Sequence, residues 1–134
     1  MATYVADTHA LVWYLAGSSL LSESARQVFD EAVKGESQVI VPVISVAELI
    51  LMIEKGRSKV EMEEVLKVLR AASGIVIKEL VLDVVLEIEN LKALPDIHDR
   101  LIVAEALAND TILVTRDETI TKSGLVKVIW VCFI

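Results

Sequence analysis

Four carboxylates stand in four separated stretches of this sequence, each beside a run that could carry it to a common edge. Asp7 follows the short apolar run at residues 3–6, and Asp117 follows the strand-like run 111–115. In an open α/β sheet, ligands bind at the carboxyl ends of the strands, above all where strand order reverses. Glu48 and Asp99 fall in the expected first turns of two helices, Glu48 closely behind the apolar run 39–41. Side chains in those turns can point at the edge that Asp7 and Asp117 occupy.

Taken singly, each acid has a structural duty available. Asp7 can N-cap the segment behind it. Ser45-Val46-Ala47-Glu48 reads as a capping box, with Glu48 reaching back to the backbone of Ser45. Asp96, after Pro95, is the natural cap of the next helix, which leaves Asp99 only helix-dipole compensation. Asp117 can cap or form an Asx turn. Together they ask for more. Carboxylates gathered without basic partners repel by several kcal/mol at ~4 Å in a partly buried site. A hard divalent cation relieves that repulsion, and oxygen-only ligation suits Mg²⁺ or Mn²⁺ rather than zinc.

The elements that must position these groups alternate. Strands are expected at residues 3–6, 39–41, 75–77, 111–115 and about 126–132. Helices are expected at 10–16, 23–34 (capped by Ser22), 46–55, a segment after the Ser58/Glu61 capping-box pattern, 81–92 and 98–109, with a short turn or helix through Lys122. Such alternation predicts one α/β domain over residues 1–134: a three-layer α/β/α sandwich around a mainly parallel sheet of about five strands.

Composition agrees with a sheet covered on both faces. Of 134 residues, 54% are hydrophobic, and the mean hydropathy is +0.59. No apolar run approaches the roughly 18 residues of a membrane span, and the start of the chain lacks the basic leader of a signal peptide. A lone cysteine, Cys132, forms no intrachain disulfide, so a reducing cytoplasm is expected. The net charge of −7 opposes simple backbone binding of nucleic acid. Metal ions held by clustered carboxylates would reverse that sign locally.

Asp7-Thr8-His9 behind a strand, Val46-Ala47-Glu48-Leu49, the segment His98-Asp99-Arg100-Leu101-Ile102-Val103-Ala104 and Leu113-Val114-Thr115-Arg116-Asp117 resemble the PIN-domain family. More narrowly, the chain is similar to VapC-type toxin ribonucleases of toxin–antitoxin pairs, with the motifs in order over essentially its whole length. The resemblance implies a Mg²⁺- or Mn²⁺-dependent endoribonuclease, usually a homodimer, held inactive by a cognate antitoxin. It carries the acidic set onto Asp7, Glu48, Asp99 and Asp117, with Thr115 as a supporting hydroxyl. Asp96 remains a helix cap, and His9 and His98 are flanking or structural.

Lys55, Arg57, Lys59, Arg116 and Lys122 are the cations that could meet RNA, and Arg100 could pair with an acid of the cluster. Trp13 and Tyr14 read as core or dimer contacts rather than stacking platforms. Two other acidic-pocket folds fail on residues. A response-regulator-type receiver needs a mid-chain phosphoacceptor, but no aspartate lies between Asp30 and Asp83; a haloacid-dehalogenase-type phosphatase wants an acid where His9 stands. The alternative that survives is a catalytically silent PIN-like module that binds RNA or protein.

Overall fold

A computed structural model describes residues 2–130. The chain runs β1 (Thr3–Ala6), α1 (Thr8–Leu15), α2 (Glu23–Val33), β2 (Gln38–Pro42), α3 (Val43–Glu54), α4 (Met62–Ala71), β3 (Ile75–Lys78), α5 (Leu82–Glu87), a 3-10 turn (Ile88–Asn90), α6 (Ile97–Ala108), β4 (Ile112–Val114), α7 (Glu118–Ser123) and β5 (Val128–Ile129). The five strands form one sheet in the order β3-β2-β1-β4-β5. All four pairings are parallel, as in Val5↔Ile40 and Val5↔Leu113. This is the predicted α/β architecture.

Period-two alternation on the central strands divides the interior into two cores. Ala6, Val39, Val41 and Val114 point to one face, where they meet Leu11 of α1, Phe29 of α2, Leu49 of α3 and Val65 and Leu69 of α4. Val5, Ile40 and Leu113 point to the other, where they meet Val84 of α5, Ile102 and Val103 of α6 and Ile120 of α7. A strand buried on both faces needs no polar residue, which explains the continuous apolar runs and much of the high hydropathy. No helix among the described residues is long and apolar enough to cross a membrane.

Helix α2 follows its sequence signals closely. Ser22 Oγ accepts the N–H of Ala25 at 3.1 Å, and Ala25, Val28, Phe29 and Ala32 form its buried stripe. Gly74 leads into β3 at a point where the backbone leaves no room. A Cβ there would lie 2.2 Å from the Ser37 carbonyl oxygen and 2.4 Å from that of Ala32.

Several expectations need correction. Helix α3 begins at Val43, directly after Pro42, rather than at 46; Pro42 is its N-cap residue and supplies no side-chain bond. Ser45 therefore lies inside the first turn, the Ser45–Glu48 capping box does not form, and Glu48 sits in the second turn. The Ser58/Glu61 box is also absent: Glu61 occupies the N-cap position without a side-chain bond, and Ser58 Oγ accepts from Val60 N instead. Helix α1 starts at Thr8, two residues early, because Asp7 caps it. The helix expected over 81–92 is α5 followed by the separate 3-10 turn. The last strand covers only Val128–Ile129 of the expected 126–132; its remaining positions from 131 on, and Cys132, lie outside the described residues.

The strand order sets the location of the site. The chain moves outward from β1 through β2 to β3, then returns to β1's other side for β4 and β5. The order reverses between β1 and β4, so their carboxyl ends flank the switch point at which such sheets bind ligands. Asp7 and Thr115 are the first residues beyond those two ends.

Candidate active site

A chain of short hydrogen bonds runs across that switch point. Asp7 leaves β1 in extended conformation and caps α1, its Oδ1 accepting the N–H of Thr8 at 2.7 Å. Its other oxygen, Oδ2, accepts from Thr115 Oγ1 at 2.6 Å. The same Thr115 oxygen accepts the N–H of Asp117 at 3.0 Å, and Asp117 Oδ1 caps α7 by accepting from Ile120 N at 2.8 Å. On the far side, Thr8 Oγ1 donates to Glu48 Oε1 at 2.8 Å. Asp7 and Asp117 are thus joined through the Thr115 hydroxyl, and Asp7 and Glu48 through the backbone N–H and hydroxyl of Thr8. The cap readings of Asp7 and Asp117 and their membership of the cluster hold together.

Asp99 joins the group through its field. It stands in the first turn of α6, whose N-cap Asp96 accepts from His98 N at 2.7 Å and Asp99 N at 3.4 Å. Burial pushes the Asp99 carboxyl up to about 7, and the negative charges of Asp117, Asp96, Asp7 and Glu48 push in the same direction. Asp7, only 8% exposed, is also raised, chiefly by burial; its bonds from Thr115 and Thr8 and the nearby His9 oppose the shift, and Asp117 adds to it. Among the described residues no lysine or arginine lies within 4.0 Å of these four acids; His98 Nδ1 lies 3.8 Å from Glu48 Oε2 and 3.7 Å from Asp96 Oδ1.

The donor chemistry of this cluster fits a hard divalent cation: carboxylate oxygens only, mutually repelling, and one of them pushed by burial and by its acidic neighbours to hold its proton near neutrality. Its geometry is open. Among the described residues no three Asp, Glu, His or Cys side chains form a ready cage for an ion.

The other candidates divide. His9 lies against Trp13, ring centroids 5.7 Å apart, and both line a hollow of about 410 Å³ with Asp7, Arg116, Asp117 and Glu118. Trp13 packs against the first core, as expected, and is also a wall of the acidic site. Tyr14 is core as expected, its ring stacked on Phe29 at 4.6 Å. Arg100 forms no ion pair with the acids among the described residues and donates Nε–H to the Leu94 carbonyl at 2.5 Å. Lys55, Arg57 and Lys59 are exposed about two turns beyond Glu48. Sequence reasoning missed Thr8, which bridges Asp7 and Glu48; a hydroxyl directly behind the first acid was its only signal.

A family model described as PIN domain matches residues 4–124. The chain belongs to the PIN domain family. This PIN domain is also similar in fold to several solved structures. One is a chain in the crystal structure of VapBC2 from Rickettsia felis bound to a DNA fragment from their promoter: 18% identity, TM-score 0.68, covering 96% of this chain and 98% of that one. Another is a chain of DNA-bound VapBC from Salmonella typhimurium: 15% identity, TM-score 0.70, covering 96% and 98%. A third is a toxin–antitoxin complex from Klebsiella pneumoniae: 18% identity, TM-score 0.63, covering 96% of each chain. No curated protein matches this PIN domain's sequence.

Proposed function

We propose that this PIN domain, one nuclease domain over residues 1–134, is a Mg²⁺- or Mn²⁺-dependent endoribonuclease and the toxin of a toxin–antitoxin pair acting in the cytoplasm. One observation carries the reading. Asp7, Glu48 and Asp117 are linked through Thr8 and Thr115 at the switch point of a parallel sheet, and Asp99 lies within their field. Among the described residues none of the four is paired to a lysine or arginine, and burial with their mutual repulsion lifts Asp99 to about 7. RNA as substrate follows from the likeness of the four motifs to VapC-type ribonucleases. The antitoxin follows from that likeness and from the VapBC complexes that share the fold. Exposed apolar side chains such as Leu82, Leu86 and Ile97 offer surface for the antitoxin and for a second copy in a homodimer.

In this reading Asp7, Asp99 and Asp117 hold the ion, with Glu48 beside them. A divalent ion bound there would neutralise charge on a phosphodiester and activate water. The chain's own residues prepare the reaction. Thr115 fixes Asp7 and the backbone of Asp117 with one oxygen, so two ligands move as a unit. Thr8 holds Glu48 Oε1 and leaves Oε2 to orient a water molecule. Asp99 keeps a proton near neutral pH and gives it up when positive charge arrives.

The test is cleavage of RNA by the purified protein with Mg²⁺ or Mn²⁺, with chelator, and after Asp7→Asn. Cleavage should require the ion and vanish in the variant while the melting temperature holds. The silent-module reading uses Asp7 only as a cap. It wins if Asp7→Asn lowers the melting temperature and leaves any cleavage intact.

A further inference from the structure

Next to the acidic hollow lies a second one, of about 520 Å³, lined by Thr115, Arg116, Glu118, Thr121, Lys122, Val128 and Trp130. Arg116 and Glu118 belong to both hollows and form the wall between them. The nuclease reading leaves this second space without a role. Its construction is layered. The Arg116 guanidinium lies 5.7 Å from the centre of the Trp13 ring, in cation–π contact. Trp130 meets Trp13 edge-on at 5.8 Å. Trp13 thus steadies Arg116 from one side, and Arg116 itself is exposed. The floor is apolar and half-buried, from Val128 and Trp130; the rim is exposed and polar, from Thr121, Lys122 and Glu118.

We infer that this second hollow is a nucleobase subsite, which takes the base flanking the scissile phosphate of single-stranded RNA. The inference rests on the nuclease reading for the identity of its ligand. Flat aromatic and guanidinium surfaces bind bases by stacking, and they do so on unpaired strands. Arg116 immediately precedes Asp117, so a base stacked here belongs to the nucleotide adjoining a phosphate at the acids. Arg116 supplies local positive charge that the chain's net −7 lacks. Lys122 lies 3.7 Å from Glu118 in an exposed pair on the rim, and Glu118 and Thr121 offer an acceptor and a hydroxyl to the base edge.

The protein's two tryptophans, Trp13 and Trp130, both belong to this assembly, so their fluorescence reads occupancy directly. The probe is a tetraribonucleotide whose central linkage is an uncharged methylphosphonate, with the 2′-hydroxyl preceding it replaced by hydrogen so that it cannot attack the phosphorus. It is added without divalent metal and compared with the same molecule lacking the base beside that linkage. The first should quench the fluorescence saturably, and loss of the base should weaken binding about tenfold. Arg116→Lys, which keeps the charge and removes the plane, should weaken binding of the intact probe by a similar factor and raise KM for RNA. A melting curve matched to the unsubstituted protein verifies that the variant is folded. Equal binding of the intact and base-free probes, or an Arg116→Lys variant that binds like the parent, overturns the subsite, whatever else binds there. Base-dependent quenching without cleavage under either metal would overturn the nuclease chemistry and leave the base site standing.

Discussion

Thr115 Oγ1 donates to Asp7 Oδ2 at 2.6 Å and accepts the N–H of Asp117 at 3.0 Å, so one buried hydroxyl sets the spacing of two acids from different strands. Thr115→Val removes both bonds and leaves the buried Asp7 oxygen without its donor. RNA cleavage should fall about 10- to 100-fold, as for groups that orient metal ligands, and stability by about 1–3 kcal/mol. Thr115→Ser should restore most of both. Cleavage rates and chemical denaturation of the two variants decide it; a fully active valine variant would remove Thr115 from the site.

Thr8 and Glu48 form the second coupled pair. Thr8→Val and Glu48→Gln each break the bond between Thr8 Oγ1 and Glu48 Oε1 or strip its charge. If Thr8 acts only by holding Glu48, the double variant should cleave RNA no more slowly than Glu48→Gln alone. A double-mutant cycle on kcat measures this directly. Additive losses would mean that Thr8 has an independent role.

Asp99 makes the stability of the ion-free protein pH-dependent, with a definite sign. Between its ordinary 3.8 and about 7, the folded protein keeps a proton that the unfolded chain has released. The folded state binds more protons in that window, so stability falls as pH rises through it and levels off above about 7. Added Mg²⁺ should reverse the trend, because the ion replaces the proton, and its stabilising effect should be larger above 7 than below. Melting temperatures across this range with and without Mg²⁺ test the prediction. Asp99→Asn should reduce the ion-free slope and leave the part due to Asp7 and Glu105, whose carboxyls burial also raises; a slope undiminished in that variant would assign it wholly to other groups.

The interior carries a prediction independent of the site. Gly74→Ala drives a methyl group into the carbonyl oxygens of Ser37 and Ala32, both backbone atoms. It should cost about 1–3 kcal/mol or more, as over-packing does. The melting temperature should drop while cleavage per folded molecule is unchanged, since Gly74 opens β3, away from the β1–β4 switch point.

The layer order and the strand–acid junctions were legible because each rests on local rules: two-faced apolar runs, caps at helix starts, and the position of acids after strands. What local rules could not supply was competition between partners. Ser45-Val46-Ala47-Glu48 satisfies the capping-box pattern, yet Pro42, with φ already fixed near a helical value, starts α3 earlier and releases Glu48 to Thr8, 40 residues distant in sequence. Ser45 Oγ is left buried without a partner. Trp13 likewise reads as core by composition, and only the arrival of Arg116 and Trp130 from the other end of the chain makes it a wall of the site.

The placement of β4 beside β1 bears on how such a protein is made. Its two most closely joined site residues, Asp7 and Thr115, are 108 positions apart. The first is made before β2, β3 and the helices between them, and the second follows only once those elements and α6 have been translated. A growing polypeptide or a fragment ending before Ile112 has no strand on which to hang Thr115 and Asp117, so it lacks half of the acidic pair flanking the switch point. If the cluster cuts RNA, its assembly is timed by the topology. The messenger being read, and the translation apparatus around it, stay out of danger until β4 and the acid behind it have been made.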